Sequence, residues 1–407
     1  MFRKVISFML LVGVLMSLLS TTIAQDEFVF GVILVGPAND RGWSQSHFEA
    51  AEYVEANLDG ATKLVFESLN PADTPETTLL DVVTEMVDSG AELIFTTSDS
   101  FEEDTNVVAE AFPDITFINI TGSNVLNGAP ENVGNFNGMM EAPRLIAGCA
   151  AGLATETGQI GYLGALINDE TRRLAASSYL GAAYCYENYA GGDPAELEFT
   201  VTWIGFWFNI PGVTLDPTEV ANEFFNQGAD VIISGIDTTE SIVVAGQRAS
   251  EGERVFAIPY GNAGGCAEAP EACLGVAYYN WGPAYLDVAE AVAAGEWEQS
   301  WDWIEPVWDE ISEEGYYTGE DTSIIGYIHG EGLPEGIQEQ LDVFAEEMVA
   351  FEEADEDNSM DEESIYLWQG PLSLQDGTEL AADGEEMQLL DIWQLDQLLD
   401  GMTGASE

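Results

Sequence analysis

The sequence predicts an α/β protein of two lobes, each a mostly parallel sheet flanked by helices. Three observations carry this reading. Short β-branched runs alternate with amphipathic stretches from Phe28 onward, the alternation restarts near residue 159, and the chain is too long for one compact core. Successive strand–helix–strand units close by right-handed crossovers, which stack parallel strands and cover both faces of the sheet.

The elements follow in order. Phe28 to Val35 reads as a strand and about Ser46 to Ala56 as a helix. Thr62 to Phe66 is strand-like, and Thr74 opens a Thr-Pro-Glu-Thr helix start that runs to Val87 before Ser89-Gly90. Leu93 to Thr97 is a strand, Phe101 to Phe112 a helix and Ile115 to Ile120 extended. A helical stretch from Gly138 to Ala154 separates this set from the next. The second set has strands at Gln159 to Leu163, Phe199 to Ile204, Asp230 to Ile233 and Arg254 to Ile258. Its helices run over Thr171 to Tyr186, Pro217 to Asn226 and Thr239 to Ala249. The expected division puts 26–138 plus about 281–300 in the first lobe and 139–280 plus about 301–407 in the second. An acidic insertion is expected at about 332–363. In open α/β sheets ligands sit beyond the carboxyl ends of the strands, so two such lobes place a pocket in the cleft between them.

Ahead of the first strand, Arg3 and Lys4 precede an apolar run from Val5 to Leu19 and then Ser20-Thr-Thr-Ile-Ala24. That order is a secretory signal cleaved after Ala24, the alternative being a retained anchor helix. No cysteine sits at the cleavage site, which argues against a lipid anchor, and no second apolar run of spanning length occurs. Without Arg3 and Lys4 the chain has seven basic residues against 74 acidic ones, a formal charge of −67, with Lys63 its one lysine. Nucleic acid and anionic membrane surfaces would repel such a chain. High salt would screen the mutual repulsion of its carboxylates, and an acidic habitat would neutralise many of them. Cys149, Cys185, Cys266 and Cys273 suit disulfides in an exported chain; Cys266 and Cys273 bracket a short loop and form the favoured pair, with Cys149–Cys185 the other. A metal site is not expected, because His47 and His329 are far apart in sequence. Ile337 to Phe351 has a helical pattern, and the run Glu352 to Glu363 reads as a solvated charge block; calcium binding is the alternative, without an EF-hand spacing.

Gly36-Pro-Ala-Asn-Asp-Arg-Gly-Trp-Ser-Gln-Ser46, directly after the first strand, resembles the turn of the basic membrane protein family of solute-binding proteins, which includes purine nucleoside receptors. Further stretches agree in order: Glu141 with Leu145-Ile-Ala-Gly148, Gly158-Gln-Ile-Gly161, Thr202-Trp-Ile-Gly-Phe-Trp207, Gln227-Gly-Ala-Asp-Val-Ile232 and Trp368-Gln-Gly-Pro-Leu372. The resemblance implies a periplasmic-binding-protein fold of type I whose hinge closes the lobes over a ligand. It implies extracytoplasmic capture of a purine nucleoside or base, without a cofactor, by a monomer that serves an ABC permease and ATPase complex. Where the nucleoside receptors carry Gly-x-Asp and then a lysine, this chain reads Pro259-Tyr-Gly-Asn262 and Tyr278-Tyr-Asn-Trp281, with no lysine. A free base or another flat heterocycle therefore competes with a nucleoside.

The expected ligand-binding residues follow. Trp43 supplies one stacking face and Phe206 or Trp207 the other, each partner being worth about 1–3 kcal/mol. Asp40, Ser44 and Gln45 offer hydrogen bonds at the rim, although Asp40 could simply cap the following helix. Ser98 and Asp237 end strands, and Asn262 and Trp281 flank the return crossing. A hydrolase is the competing reading from carboxylate abundance, but neither nucleophile-elbow nor phosphate-loop spacing is present. A sensor that signals to a membrane receptor would use the same closure.

Overall fold

The computed structural model describes residues 28–307, 311–312, 315–316, 324–357 and 365–407; the signal segment and part of the acidic run lie outside them. The first lobe comprises β1 (Phe28–Leu34), α1 (Trp43–Asn57), β2 (Ala61–Phe66), α2 (Leu79–Asp88), β3 (Ala91–Thr97), α3 (Glu102–Ala111), β4 (Thr116–Asn119) and β5 (Val133–Gly138). All of its strand pairs are parallel. Phe30, Val32, Ile33 and Leu34 of β1 are fully buried, as a strand covered on both faces requires.

The chain crosses to the second lobe through α4 (Glu141–Ala154). There follow β6 (Gln159–Gly164), α5 (Asp169–Asn188), β7 (Glu198–Trp203), α6 (Pro217–Gln227), β8 (Val231–Gly235), α7 (Glu240–Ser250) and β9 (Phe256–Ile258). The paired strands are again parallel. Helices α4 and α5 touch backbone to backbone: a Cβ on Gly181 would fall 1.9 Å from the Leu145 carbonyl oxygen. Cys149–Cys185 crosslinks these helices, and Cys266–Cys273 closes its short loop. A buried ion pair, Arg173 Nε to Glu141 Oε1 at 2.6 Å, also joins them.

A third sheet and the return crossings complete the molecule: β10 (Tyr260–Gly261), β11 (Gly275–Tyr279), α8 (Gly282–Ala294), β12 (Trp301–Ile304), β13 (Ile311–Ser312), β14 (Gly315–Tyr316) and β15 (Ile325–His329). The sheet runs β10-β11-β15-β14-β13 and is antiparallel except at β10–β11. Strand β12 pairs with β5, so the return segment reaches four residues past the expected limit near 300 and completes a first sheet of order β12-β5-β4-β3-β1-β2. The C-terminal part holds α9 (Glu335–Asp357), β16 (Leu372–Ser373), β17 (Glu379–Ala381), α10 (Leu389–Trp393) and β18 (Met402–Thr403); β18 completes the second sheet as β18-β7-β6-β8-β9. No helix among the described residues is long and apolar enough to cross a membrane.

Several expected boundaries move, the start of α2 among them. Helix α2 starts at Leu79, not Thr74, because Thr78 and Asp81 form a reciprocal capping box there. Thr74 instead uses its hydroxyl to donate to the Ser68 carbonyl in the preceding turn.

Candidate functional site

Both sheets reverse their strand order at an internal point, β1/β3 in the first and β6/β8 in the second, and the crevices there face each other. A small cavity lies at this junction. Val35 and Trp43 reach it from the turn after β1, Ser98 and Asp99 from the end of β3, and Thr121 from the end of β4. The second lobe supplies Glu170 from the start of α5, Trp207 after β7 and Asp237 after β8, with Tyr260 from the crossing strand.

The two lobes are bonded across this cavity. Asp99 accepts from Trp207 Nε1 at 3.2 Å and from Asn168 Nδ2 at 2.9 Å. Thr121 Oγ1 donates to Glu170 Oε2 at 2.7 Å. Outside the cavity, Arg41 pairs with Glu268 at 3.0 Å, though both are partly exposed and the pair adds little. The approach is tight enough that a Cβ on Gly42 would fall 1.8 Å from the Asp237 carbonyl oxygen.

Three carboxyl groups line the cavity, and no lysine or arginine does. Burial pushes Glu170 up to about 7; the Asp99 charge adds to the rise and Arg173 opposes it. Burial likewise raises Asp237 well above the usual carboxylate range, helped by the charges of Asp40, Glu170 and Asp99. Asp99 is raised by burial, against the hydrogen bonds it accepts. The site thus offers acceptors and protonatable carboxyls beside two indole rings and a phenol. Such a set can accept hydrogen bonds from donor groups on a flat or ring-shaped molecule. Among the described residues no cluster of three or more histidine, cysteine or carboxylate side chains is arranged to hold a metal.

Of the ten expected ligand-binding residues, Trp43, Ser98, Trp207 and Asp237 meet at this cavity. The other six are engaged elsewhere. Asp40 accepts from the backbone N–H groups of Gly42, Ser44 and Gln45 at 2.9–3.0 Å and so caps α1. Ser44 Oγ accepts from Gly36 N, and Gln45 bonds Arg41 N and Glu49. Phe206 packs edge-on to Phe208. Asn262 caps its own turn through Gly264 N and donates to Glu49. Trp281 is fully buried in the first lobe, stacked on Tyr279 and His47 beneath Trp43. Asp99, Thr121, Glu170 and Tyr260 were not expected; Asp99, Thr121 and Tyr260 stand just beyond strand ends, the same signal that pointed to Ser98 and Asp237, whereas Glu170 is the second residue of α5.

The sequence profile of the Bmp family, described as ABC transporter substrate-binding protein PnrA-like, matches residues 28–307. A purine-binding protein of Brucella abortus is 30% identical over 291 residues, covering 69% of this chain and 73% of that protein. A putative ABC transporter glucose-binding protein of Haloferax volcanii is 28% identical over 271 residues, 67% of this chain and 62% of its own length. Among solved structures, an ABC transporter solute-binding protein from Aeropyrum pernix superposes with a TM-score of 0.58 at 17% identity, over 82% of each chain. One from Conexibacter woesei gives 0.55 at 20% identity, over 80% of this chain and 97% of that one. These two show the fold, a type I periplasmic-binding architecture. With the profile covering well over half its length, the chain belongs to the Bmp family of PnrA-like ABC transporter substrate-binding proteins.

Proposed function

We propose that this protein captures a purine, as base or nucleoside, outside the cell and closes its two lobes over it for delivery to an ABC importer. The carrying observation is the cavity itself, with Trp43 and Trp207 among its walls and Asp99, Glu170 and Asp237 as acceptors for ring and exocyclic N–H groups. The purine-binding relative supports the same class. In this reading Asp99 is the residue that senses closure, because beside its local partner Ser98 it accepts from Trp207 and Asn168 of the opposite lobe. The signal segment accounts for export, and the monomer is the delivering unit.

A monosaccharide is the second reading. Buried carboxylates against an indole also suit sugar hydroxyls, and one relative carries a glucose-binding name. Thermal unfolding of the mature protein in high salt separates the two when run with purine bases, purine nucleosides, pyrimidines and sugars. A specific ligand at a hundredfold its Kd adds about 2.7 kcal/mol. A shift with purines and none with sugars is the expected result; a shift with sugars alone refutes the purine assignment.

A further inference from the structure

A second cavity, of about 70 Å³, lies away from the cleft, where the first lobe, the crossing helix α4 and the C-terminal part meet. Trp303 of β12 forms one wall, Ala142 and Leu145 of α4 another, and Trp368 with Ile392 a third. Seven of its twelve lining residues lie beyond residue 307, outside the span that matches the family, so this cavity is built largely by the C-terminal part of this chain. The lining is overwhelmingly apolar.

Three of its few polar groups lack partners. Glu141 Oε1 accepts from Arg173, but Glu141 Oε2 is buried with no hydrogen-bond partner. The indole Nε1 groups of Trp303 and Trp368 are also buried and unpartnered. Glu141 is 4% exposed and Trp368 2% exposed. A buried donor or acceptor without a partner is costly, so native proteins rarely leave one empty, and here an acceptor and two donors line one apolar chamber. Burial also keeps the Glu141 carboxyl above its ordinary range despite Arg173, since the dry surroundings disfavour a charged group of either sign.

We propose that this chamber is a second small-molecule site, which takes a neutral molecule with an apolar ring and one hydroxyl-type group. The hydroxyl hydrogen would go to Glu141 Oε2 and its oxygen would accept from the indole N–H groups, while the ring fills the space beside Leu145 and Ile392. The walls come from β12 of the first sheet and from α4 and the C-terminal part, so an occupant touches elements on both sides of the lobe junction.

The test uses p-cresol as probe and toluene as its hydroxyl-free isostere, titrated by ligand-observed NMR into the mature protein in high salt with no cleft ligand present. Saturable p-cresol binding is expected, at least tenfold tighter than toluene. Trp368→Phe keeps the ring and removes the N–H, and should weaken p-cresol about fivefold. Ala142→Leu fills the chamber from α4 and should abolish binding while the thermal midpoint stays near wild type. No saturable binding, as from a chamber holding only water, overturns the proposal, as does equal affinity for toluene and p-cresol. Binding lost on Trp207→Phe and kept in Ala142→Leu would put the probe in the cleft and overturn it equally. None of these outcomes depends on which ligand the cleft takes.

Discussion

Replacing Glu170 by glutamine should remove a defined part of the pH dependence of stability. In the folded protein its carboxyl sits at about 7 against an ordinary 4.5, chiefly because burial disfavours the charged form. At 1.36 kcal/mol per tenfold change in acidity, that displacement is worth about 3 kcal/mol. The direction follows from proton counting. Between pH 4.5 and 7 the folded state holds the proton and the unfolded chain has released it, so stability falls as pH rises. The contribution is fully present below pH 4.5 and is lost as pH passes through about 7. Asp237 and Asp99 are raised by the same burial and shift in the same direction, so wild type alone cannot isolate one residue. The comparison with Glu170→Gln can, because glutamine keeps an acceptor for Thr121 Oγ1 and does not titrate. The measured difference includes the relief of Asp237, which the Glu170 charge also raises. Urea unfolding at fixed high salt should give variant and wild type nearly equal stability at pH 4. By pH 8 the variant should be the more stable by about 3 kcal/mol. Parallel curves across that range would refute the picture of a buried, protonated carboxyl at the lobe junction.

Two further outcomes follow. Gly42→Ala should leave each lobe folded and block closure, because the added methyl would meet the Asp237 carbonyl oxygen at 1.8 Å; small-angle scattering should show an open form, with ligand affinity down at least tenfold. Opening the Cys149–Cys185 bridge with a double alanine variant frees a longer loop than opening Cys266–Cys273, 36 residues against 7. On loop entropy alone the costs are about 4 and about 2.5 kcal/mol, and calorimetry that ranks them the other way would show that strain or residual structure dominates.

The alternation of strands and helices was legible because buried parallel strands need long apolar runs, and Phe28 to Leu34 or Val231 to Ile233 leave little else to be. The rule that ligands sit beyond strand ends pointed to Trp43, Ser98, Trp207 and Asp237, which line the cavity at the lobe junction. The rule has no depth in it, however, and depth is what separates Asp40 from Asp99. Both are acidic residues in the turn after a strand. One spends its oxygens on three N–H groups of its own helix, while the other waits for partners from the opposite lobe. Such a choice depends on how two lobes meet, which no local pattern encodes.

Composition hid the rest. Among 74 acidic residues nothing in residue type marks Glu170, which also stands one residue into a helix where acidic side chains are ordinary dipole partners. Burial gives it a different role. A carboxylate on the surface of this chain is one charge among dozens, screened by salt; the same group in the closed cleft must be protonated, hydrogen-bonded or matched by a ligand's donors. With no cation lining the cavity, Asp99 and Glu170 draw on neutral donors there, Trp207 Nε1 and Thr121 Oγ1. In the proposed function a ligand's own N–H groups would add to these donors, and the carboxyls that burial raises would serve as its acceptors.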